Sequence, residues 1–327
     1  MTFPFGNQCL VQFGTYMYGL KMGGGSMSCY QKVPGMGDWY AAGGAVGSNL
    51  SSPGCLLASS YGHLEALAPE GNNLFHFWFS PATGLWTQTE EPVSQNATGS
   101  ACLIQSSYRG NASSPGNFEA LVLEGSNLVH YWKDNSKNSS PWSPGAVVSA
   151  EATRPACLIQ STFKGSPAAP GNFEALVLEG TNLVHYWRDN SDPAIPWHRG
   201  AVVTTTATGP ASFIESTYQL DPSVGGRNFE ALVLNDYNFQ HYWRDNADGV
   251  NWHPGVYLPM PPENIYPAGP CSLIQVTQSE VPGKPGDFEV LLAIAPWNSE
   301  TYDLREYRRN NSDPAMPWES VEQFPFP

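Results

Sequence analysis

Charge is scarce in this chain, and positive charge most of all. Of 327 residues only 13% are charged, with 15 Lys and Arg against 29 Asp and Glu, a formal net charge of −14. A nucleic-acid binder neutralises phosphates with a basic footprint, so that class is disfavoured. An anionic membrane surface would repel the chain for the same reason. No run of about 18 apolar residues exists, so no helical membrane span is written here. The opening residues "MTFPFGNQ" have neither the basic region nor the apolar core of a secretory leader. Also missing are a Gly-x-Ser-x-Gly elbow, a P-loop, a dinucleotide glycine pattern and a His-Glu-x-x-His helix. "GMGDWYAAGG" (35–44) is a glycine-rich turn with no helix behind it, so it is no phosphate cradle. Hydrolase, kinase and redox chemistry have no motif to rest on, and no cofactor is expected. No Cys/His spacing fits a zinc site, and no metal is expected.

What the chain does have is turn formers and aromatics. It carries 32 Gly, 29 Pro and 13% aromatic residues, a composition for short strands and many turns. It also repeats itself. "GNFEALVLEGSNLVHYWKDN" (116–135) returns as "GNFEALVLEGTNLVHYWRDN" (171–190). Glu65, Glu119, Glu174, Glu230 and Glu289 are spaced by 54, 55, 56 and 59 residues. His76, His130, His185 and His241 follow at intervals of 54, 55 and 56. Trp39, Trp86, Trp142, Trp197, Trp252 and Trp318 close six units. In the first unit Met17 is assigned the Glu place and Cys29 the His place; in the sixth Glu306 takes the His place.

Each unit reads as four short strands, for example Ala101–Tyr108, "FEALVLEG", "NLVHYW" and Gly145–Ala152 after a Pro-Trp corner. A period of about 50 residues with four strands is the cue for a β-propeller blade. The expectation is an all-β, six-bladed β-propeller with four antiparallel strands per blade. It is one domain over residues 1–327, with blades near 5–50, 53–98, 100–153, 155–208, 210–267 and 269–327. Phe118, Ala120 and Val122 should face one neighbouring blade, Glu119 and Leu121 the other. The His series reads first as structural, each ring bonding a backbone carbonyl in preference to a ligand.

Cys9, Cys55, Cys102 and Cys157 share one repeat position and read as small packing groups. Cys29 and Cys271 lie elsewhere, which leaves one bridge open to them. "RDNSDP" (188–193), repeated at 244–249 and 309–314, reads as an Asx-turn in preference to a calcium loop, because the loop is short and no bidentate Glu follows. Five Asn-x-Ser/Thr sequons, at Asn49, Asn96, Asn111, Asn138 and Asn310, favour passage through the secretory pathway with a leader removed, over an intracellular protein.

The repeat breaks down in units five, six and one, which become neighbours when a ring closes. The turn after the second strand gains Tyr237 in unit five and Trp297 in unit six, and lies beside Met22 in unit one. The linker into unit six is longer and carries Met260 and Tyr266. Arg305 and Tyr307 flank Glu306. On one face of a propeller these positions would line one apolar pocket at the channel mouth, a small-molecule site. They also fit a plainer reading, in which terminal repeats are atypical because they close the ring.

The pattern "GNFEALV…LVHYW…W" resembles the fungal and bacterial fucose-binding propeller lectins. That resemblance implies sugars held between blades by Glu, Arg and Trp. The Arg of that set is not cleanly repeated, since Lys133 and Phe79 stand where Arg188 and Arg244 do. The "HYWRDN" blades also resemble fungal proteins of secondary metabolism, among them the hetero-Diels–Alderases of tropolonic sesquiterpene biosynthesis. The asymmetry of units five, six and one favours this second resemblance, and so an enzyme. It implies a cofactor-free cycloaddition of a tropolone o-quinone methide with a humulene-type alkene in one pocket. Tyr237, Trp297, Tyr266, Met22, Tyr307 and Met260 would shape that pocket. His241 or Arg305 would bond the quinone-methide carbonyl, with Glu306 orienting Arg305. The partners are then small apolar molecules. The alternative is a secreted multivalent lectin with glycan partners, favoured by the near-identity of units three and four.

Overall fold

The structure is a computed structural model. It describes all residues except 1–5, 7, 35, 110–112, 138–139, 165–167, 193, 219–226, 247–249, 261–264, 280, 282, 297–302, 314 and 325–327, and omits the side chains of 36, 37, 303 and 322–324. Among the described residues twenty-four strands form six antiparallel sheets of four, each made by consecutive strands. Blade one holds β1 (Leu10–Phe13), β2 (Tyr16–Gly23), β3 (Ser26–Val33) and β4 (Met36–Gly47). Blade two holds β5 (Cys55–Ala58), β6 (Leu64–Glu70), β7 (Asn73–Ser80) and β8 (Leu85–Gln88). Blade three holds β9 (Ala101–Gln105), β10 (Phe118–Glu124), β11 (Asn127–Lys133) and β12 (Trp142–Ser149). Blade four holds β13 (Cys157–Gln160), β14 (Phe173–Glu179), β15 (Asn182–Arg188) and β16 (Trp197–Thr204). Blade five holds β17 (Ala211–Glu215), β18 (Phe229–Asn235), β19 (Asn238–Arg244) and β20 (His253–Tyr257). Blade six holds β21 (Ile265–Gln275), β22 (Phe288–Pro296), β23 (Asp303–Arg309) and β24 (Trp318–Phe324). The first strands β1, β5, β9, β13, β17 and β21 touch in a closed ring, β21 meeting β1. This is a six-bladed β-propeller.

The repeated residues build it as their alternation requires. Phe118, Ala120 and Val122 pack with Leu67 and Leu74 of blade two, while Leu121 and Leu123 pack with Leu158 and Phe173 of blade four. In blades one to five two-residue turns join the second and third strands. They place Gly71, Gly125 and Gly180 at φ of 61, 66 and 64°, which glycine adopts without Cβ strain. In blade five the same place falls to Asp236 at φ 54°.

The strand bounds differ from the sequence reading at both ends of a blade. The fourth strand of blade three starts at Trp142, not Gly145, because Trp142 pairs with Lys133 and the corner Trp is itself in the ladder. In blade one the register puts Met17 opposite Lys32, as Phe118 is opposite Lys133. Tyr18, not Met17, therefore holds the Glu place, while Cys29 opposite Leu20 holds the His place as expected.

Neighbouring blades are stitched by one recurring bond. A residue at one register position of the first strand accepts from a backbone N–H of the preceding blade: Gln105 from Ser60, Gln160 from Ser107, Glu215 from Thr162, Gln275 from Thr217 and Gln12 from Thr277, at 2.7–2.9 Å. Blade two has Ala58 at this position. Gln8 enters the channel: its amide donates to Leu158 O at 3.1 Å and accepts from Leu103 N at 3.1 Å.

All six cysteines are buried free thiols, so Cys29 and Cys271 form no bridge. Cys9, Cys55, Cys102 and Cys157 pair into their blades where blades five and six have Ser212 and Ser272. Burial pushes the thiols of Cys9 and Cys55 up to about 12. The folded protein should therefore show no reaction with a soluble aromatic disulfide reagent at pH 8, and six equivalents on denaturation. Reaction of a thiol in the folded state at a rate near that of free cysteine would contradict this packing.

Candidate functional site

Glu119 and His130 point from one face of blade three because Glu119 and Leu121 share a face and His130 lies opposite Leu121. Ser106 Oγ donates to Glu119 Oε1 at 2.9 Å, and His130 Nε2 donates to Glu119 Oε2 at 2.9 Å. The arrangement recurs with Ser59, Glu65 and His76, with Ser161, Glu174 and His185, and with Ser216, Glu230 and His241. The carboxylate sits between hydroxyl and imidazole, so the imidazole does not touch the serine and these clusters lack the order of a nucleophilic triad.

The next blade adds an arginine to two of these clusters. Arg188 of blade four brings Nη1 to 3.4 Å from His130 Nδ1, and Arg244 of blade five brings Nη1 to 3.3 Å from His185 Nδ1. With Nε2–H given to the carboxylate, Nδ1 is the acceptor, and the guanidinium fixes that tautomer. Arg188 lies 4.3 Å from the Phe173 ring centre, its Nε bonded to Asn190 Oδ1 at 2.8 Å. Arg309 repeats this over Phe288 at 4.1 Å, with Asn311 Oδ1 at 2.8 Å. Burial pulls both guanidinium groups down from their usual range, opposed by Glu119 and Glu230 respectively. Trp132, Trp187 and Trp243 share the face of Glu119, Glu174 and Glu230, each directly opposite its glutamate. His198 and His253 stack on Trp187 and Trp243 at 4.4 and 4.5 Å and set the indole planes.

Each of the three clefts from blade three to blade six thus holds Ser, Glu, His and Trp from one blade and Arg with Phe from the next. Between blades five and six the cleft is a cavity of about 210 Å³ lined by Glu230, His241, Trp243, Arg309, Tyr218 and Met316. Gly255 opens it, since a Cβ there would lie 2.7 Å from His241 Nδ1. Met316 reaches it from a turn with φ 44°, a strained conformation of the kind that clusters at binding sites. The "SDP" loops are the Asx-turns expected: Asp189 Oδ1 accepts from Ser191 N at 2.8 Å and Asp313 Oδ1 from Ala315 N at 2.8 Å.

The other clefts differ. Lys133 stands in the arginine place toward blade two, and His76 Nδ1 has no partner among the described residues. Between blades one and two Phe79 stands there. Between blades six and one Lys32 Nζ meets Glu306 at 2.7 and 2.8 Å.

A second cavity, of about 530 Å³, lies at the channel mouth. Its lining is the linkers between blades, among them Ser52–Pro53, Gly99–Ser100, Arg154–Pro155 and Gly209–Pro210. Tyr237, Tyr266, Met22, Tyr307 and Met260 are not part of that lining. Met22 and Tyr307 are core residues, and Met260 packs on the core between blades five and six. Tyr237 and Tyr266 do meet, ring centres 5.0 Å apart. Trp297 lies outside the described residues. Arg305 lies opposite Leu292 and Glu306 opposite Leu291, on opposite faces of β22 and β23, so Glu306 turns to Lys32 and does not orient Arg305. His241 is the sequence-selected residue that lines a polar cleft. Glu230, Trp243 and Arg309 were missed as a set, because the arginine arrives from the next blade; the fixed spacing of Glu, His, Trp and Arg was the available signal. Of the sequons, Asn49 and Asn96 are exposed, Asn310 is half-buried in an Asx-turn, and Asn111 and Asn138 fall outside the described residues.

The fold and clefts define a class, a six-bladed propeller with polar-aromatic clefts between blades. No family model and no curated protein matches the chain. Among solved structures it is similar to the six-bladed, fucose-recognising lectin of Aleuria aurantia, with a TM-score of 0.63 at 12% identity over 95% of this chain and 91% of that one. A mutant form of that lectin, in complex with Fucα1-6GlcNAc, gives 0.62 at 12% identity over 95% and 92%. A Lactobacillus plantarum protein gives 0.50 at 9% identity over 93% and 79%. At these identities the likeness is one of fold.

Proposed function

We propose that this protein binds neutral saccharides in the clefts between its blades, as a multivalent carbohydrate-binding protein. The observation that carries the reading is the cavity between blades five and six, where Trp243, Arg309 and the Glu230–His241 pair converge. An indole face suits the C–H face of a sugar ring, and guanidinium and carboxylate groups supply donors and acceptors for its hydroxyls. A volume of about 210 Å³ is small against the 300–1,000 Å³ typical of drug-sized ligands and suits one sugar residue. Related sets between blades three and four and between four and five support more than one site per chain. The similarity to the Aleuria aurantia lectin, described as having a novel fucose recognition mode, supports the same reading. The cycloaddition reading has no comparable support, because its residues are dispersed among cores, clefts and faces.

Calorimetric titration tests this with methyl α-L-fucoside, methyl β-D-galactoside and tropolone. The expected result is saccharide binding with a stoichiometry above one. No saccharide binding, with tropolone bound at one site, would reject the reading and return the single-pocket enzyme.

A further inference from the structure

The junction of blades six and one differs from the others in bringing together the first and last blades of the chain and in its charge balance. Among the described residues no strand crosses it, β1–β4 and β21–β24 forming separate sheets. The ring therefore closes on side chains: Ser272 Oγ accepts from Leu10 N at 3.0 Å, Gln12 Oε1 accepts from Thr277 N at 2.8 Å, and Lys32 pairs with Glu306. Lys32 and Glu306 are 3% and 2% exposed, so neither charge is shared with solvent.

Glu289 lies on the same face of blade six as Glu306, two residues from its cross-strand partner Leu291. It is 1% exposed, and its Oε2 has no hydrogen-bond partner among the described residues. The charged groups facing it are Glu306 and Arg308 from β23, Lys32 from β3, and Asp287 just before β22. Arg308 is committed to Asp287, and reaches Glu289 Oε1 only at 3.8 Å. Asp287, Glu289 and Glu306 thus face Lys32 and Arg308, three acids against two bases, and one proton restores balance. Elsewhere in the ring Glu65, Glu119, Glu174 and Glu230 interact with Lys133, Arg188, Arg244 and Arg309 of the next blade, each with a histidine hydrogen-bonded to it.

We propose that the seam between blades six and one is a proton-dependent latch, closed while Glu289 carries a proton and loosened when it ionises beside Glu306, whose buried counter-charge is Lys32. Burial first, and then Glu306, push the Glu289 carboxyl up to about 8, against the pull of Lys32 and Arg308. Burial likewise raises Glu306. The folded state then holds a proton that the unfolded chain, with a carboxyl near 4.5, has lost. Stability from this group is fully present at acid pH, falls as pH rises from about 4.5 to about 8, and is level above that. Full linkage to one proton changes the opening equilibrium about tenfold per pH unit in this window. The latch is independent of any saccharide reading.

Hydrogen exchange of the whole chain, corrected for intrinsic rates, reads the seam blade by blade between pH 5.5 and 8.5. The expected result is loss of protection in β1–β4 and β21–β24 of about tenfold or more as pH rises, with β9–β16 changing little. Glu289→Gln should abolish that difference. Equal loss in all blades, or an unchanged pH response in Glu289→Gln, would overturn the proposal. If Glu289→Gln fails to fold, infrared difference spectra of the wild-type protein decide: a protonated-carboxyl band must vanish as pH rises through about 8. Absence of that band rejects the latch.

Discussion

Replacing Lys32 with alanine is expected to cost about 3–5 kcal/mol at pH 8, the usual cost of stranding a buried charge, and to lower Tm by roughly 10 °C. Lys32 holds both oxygens of Glu306 and lies 5.8 Å from the Trp39 ring, deep in the seam where the ring closes. Without it, Glu289 and Glu306 face each other with only Arg308 nearby, and Arg308 is bonded to Asp287. The deficit should shrink toward pH 5. Burial raises both carboxyls, so both take up a proton more readily as pH falls, and a protonated acid needs less of a cation. Calorimetric unfolding of wild type and Lys32→Ala at pH 5 and pH 8 measures both terms. Adding Glu306→Leu to Lys32→Leu should recover most of the loss, because a packed apolar pair needs no counter-charge. A deficit below about 1 kcal/mol at pH 8 would mean that the ion pair is solvated and the seam rests on other contacts.

The second large effect is on binding. Trp243→Ala should weaken the saccharide site between blades five and six by about thirtyfold or more, the scale of a truncated aromatic anchor. Trp243 lies opposite Glu230 and against His253, and lines the cavity with Arg309. It is half-buried on a third strand, outside the packed cores, so the ring should stay folded. Trp243→Phe should keep much of the affinity, since it retains an aromatic face. Titration with the saccharide that binds wild type, alongside circular dichroism, separates loss of binding from loss of fold. Undiminished affinity in Trp243→Ala at every site would move the ligand out of this cleft.

The chain's own repetition determines a good deal. The alternation in "FEALVLE", the glycine turns and six units near 55 residues require six small sheets with two apolar faces. A ring of blades is the arrangement that buries both faces of every one. The same alternation placed Phe118 and Glu119 against different neighbours. Asx-turns at Asp189 and Asp313 followed from local chemistry.

What tertiary structure alone decided is which residues from different blades meet. Arg188, Arg244 and Arg309 looked like an incomplete set within their own repeats, yet each serves the histidine-bearing face of the blade before it. Arg305 and Glu306 are adjacent in sequence and face opposite blades, because neighbours on a strand always do. Tyr237, Met22 and Tyr307 all lie in the divergent units, but one is exposed and two are buried in different cores, Tyr307 in the place of Tyr131, Tyr186 and Tyr242. Lys32 and Glu306 are 274 residues apart and become a buried pair only when the ring closes. A repeat fixes each blade through local periodicity. The register and closure of the ring, which no single unit encodes, fix the chemistry between blades.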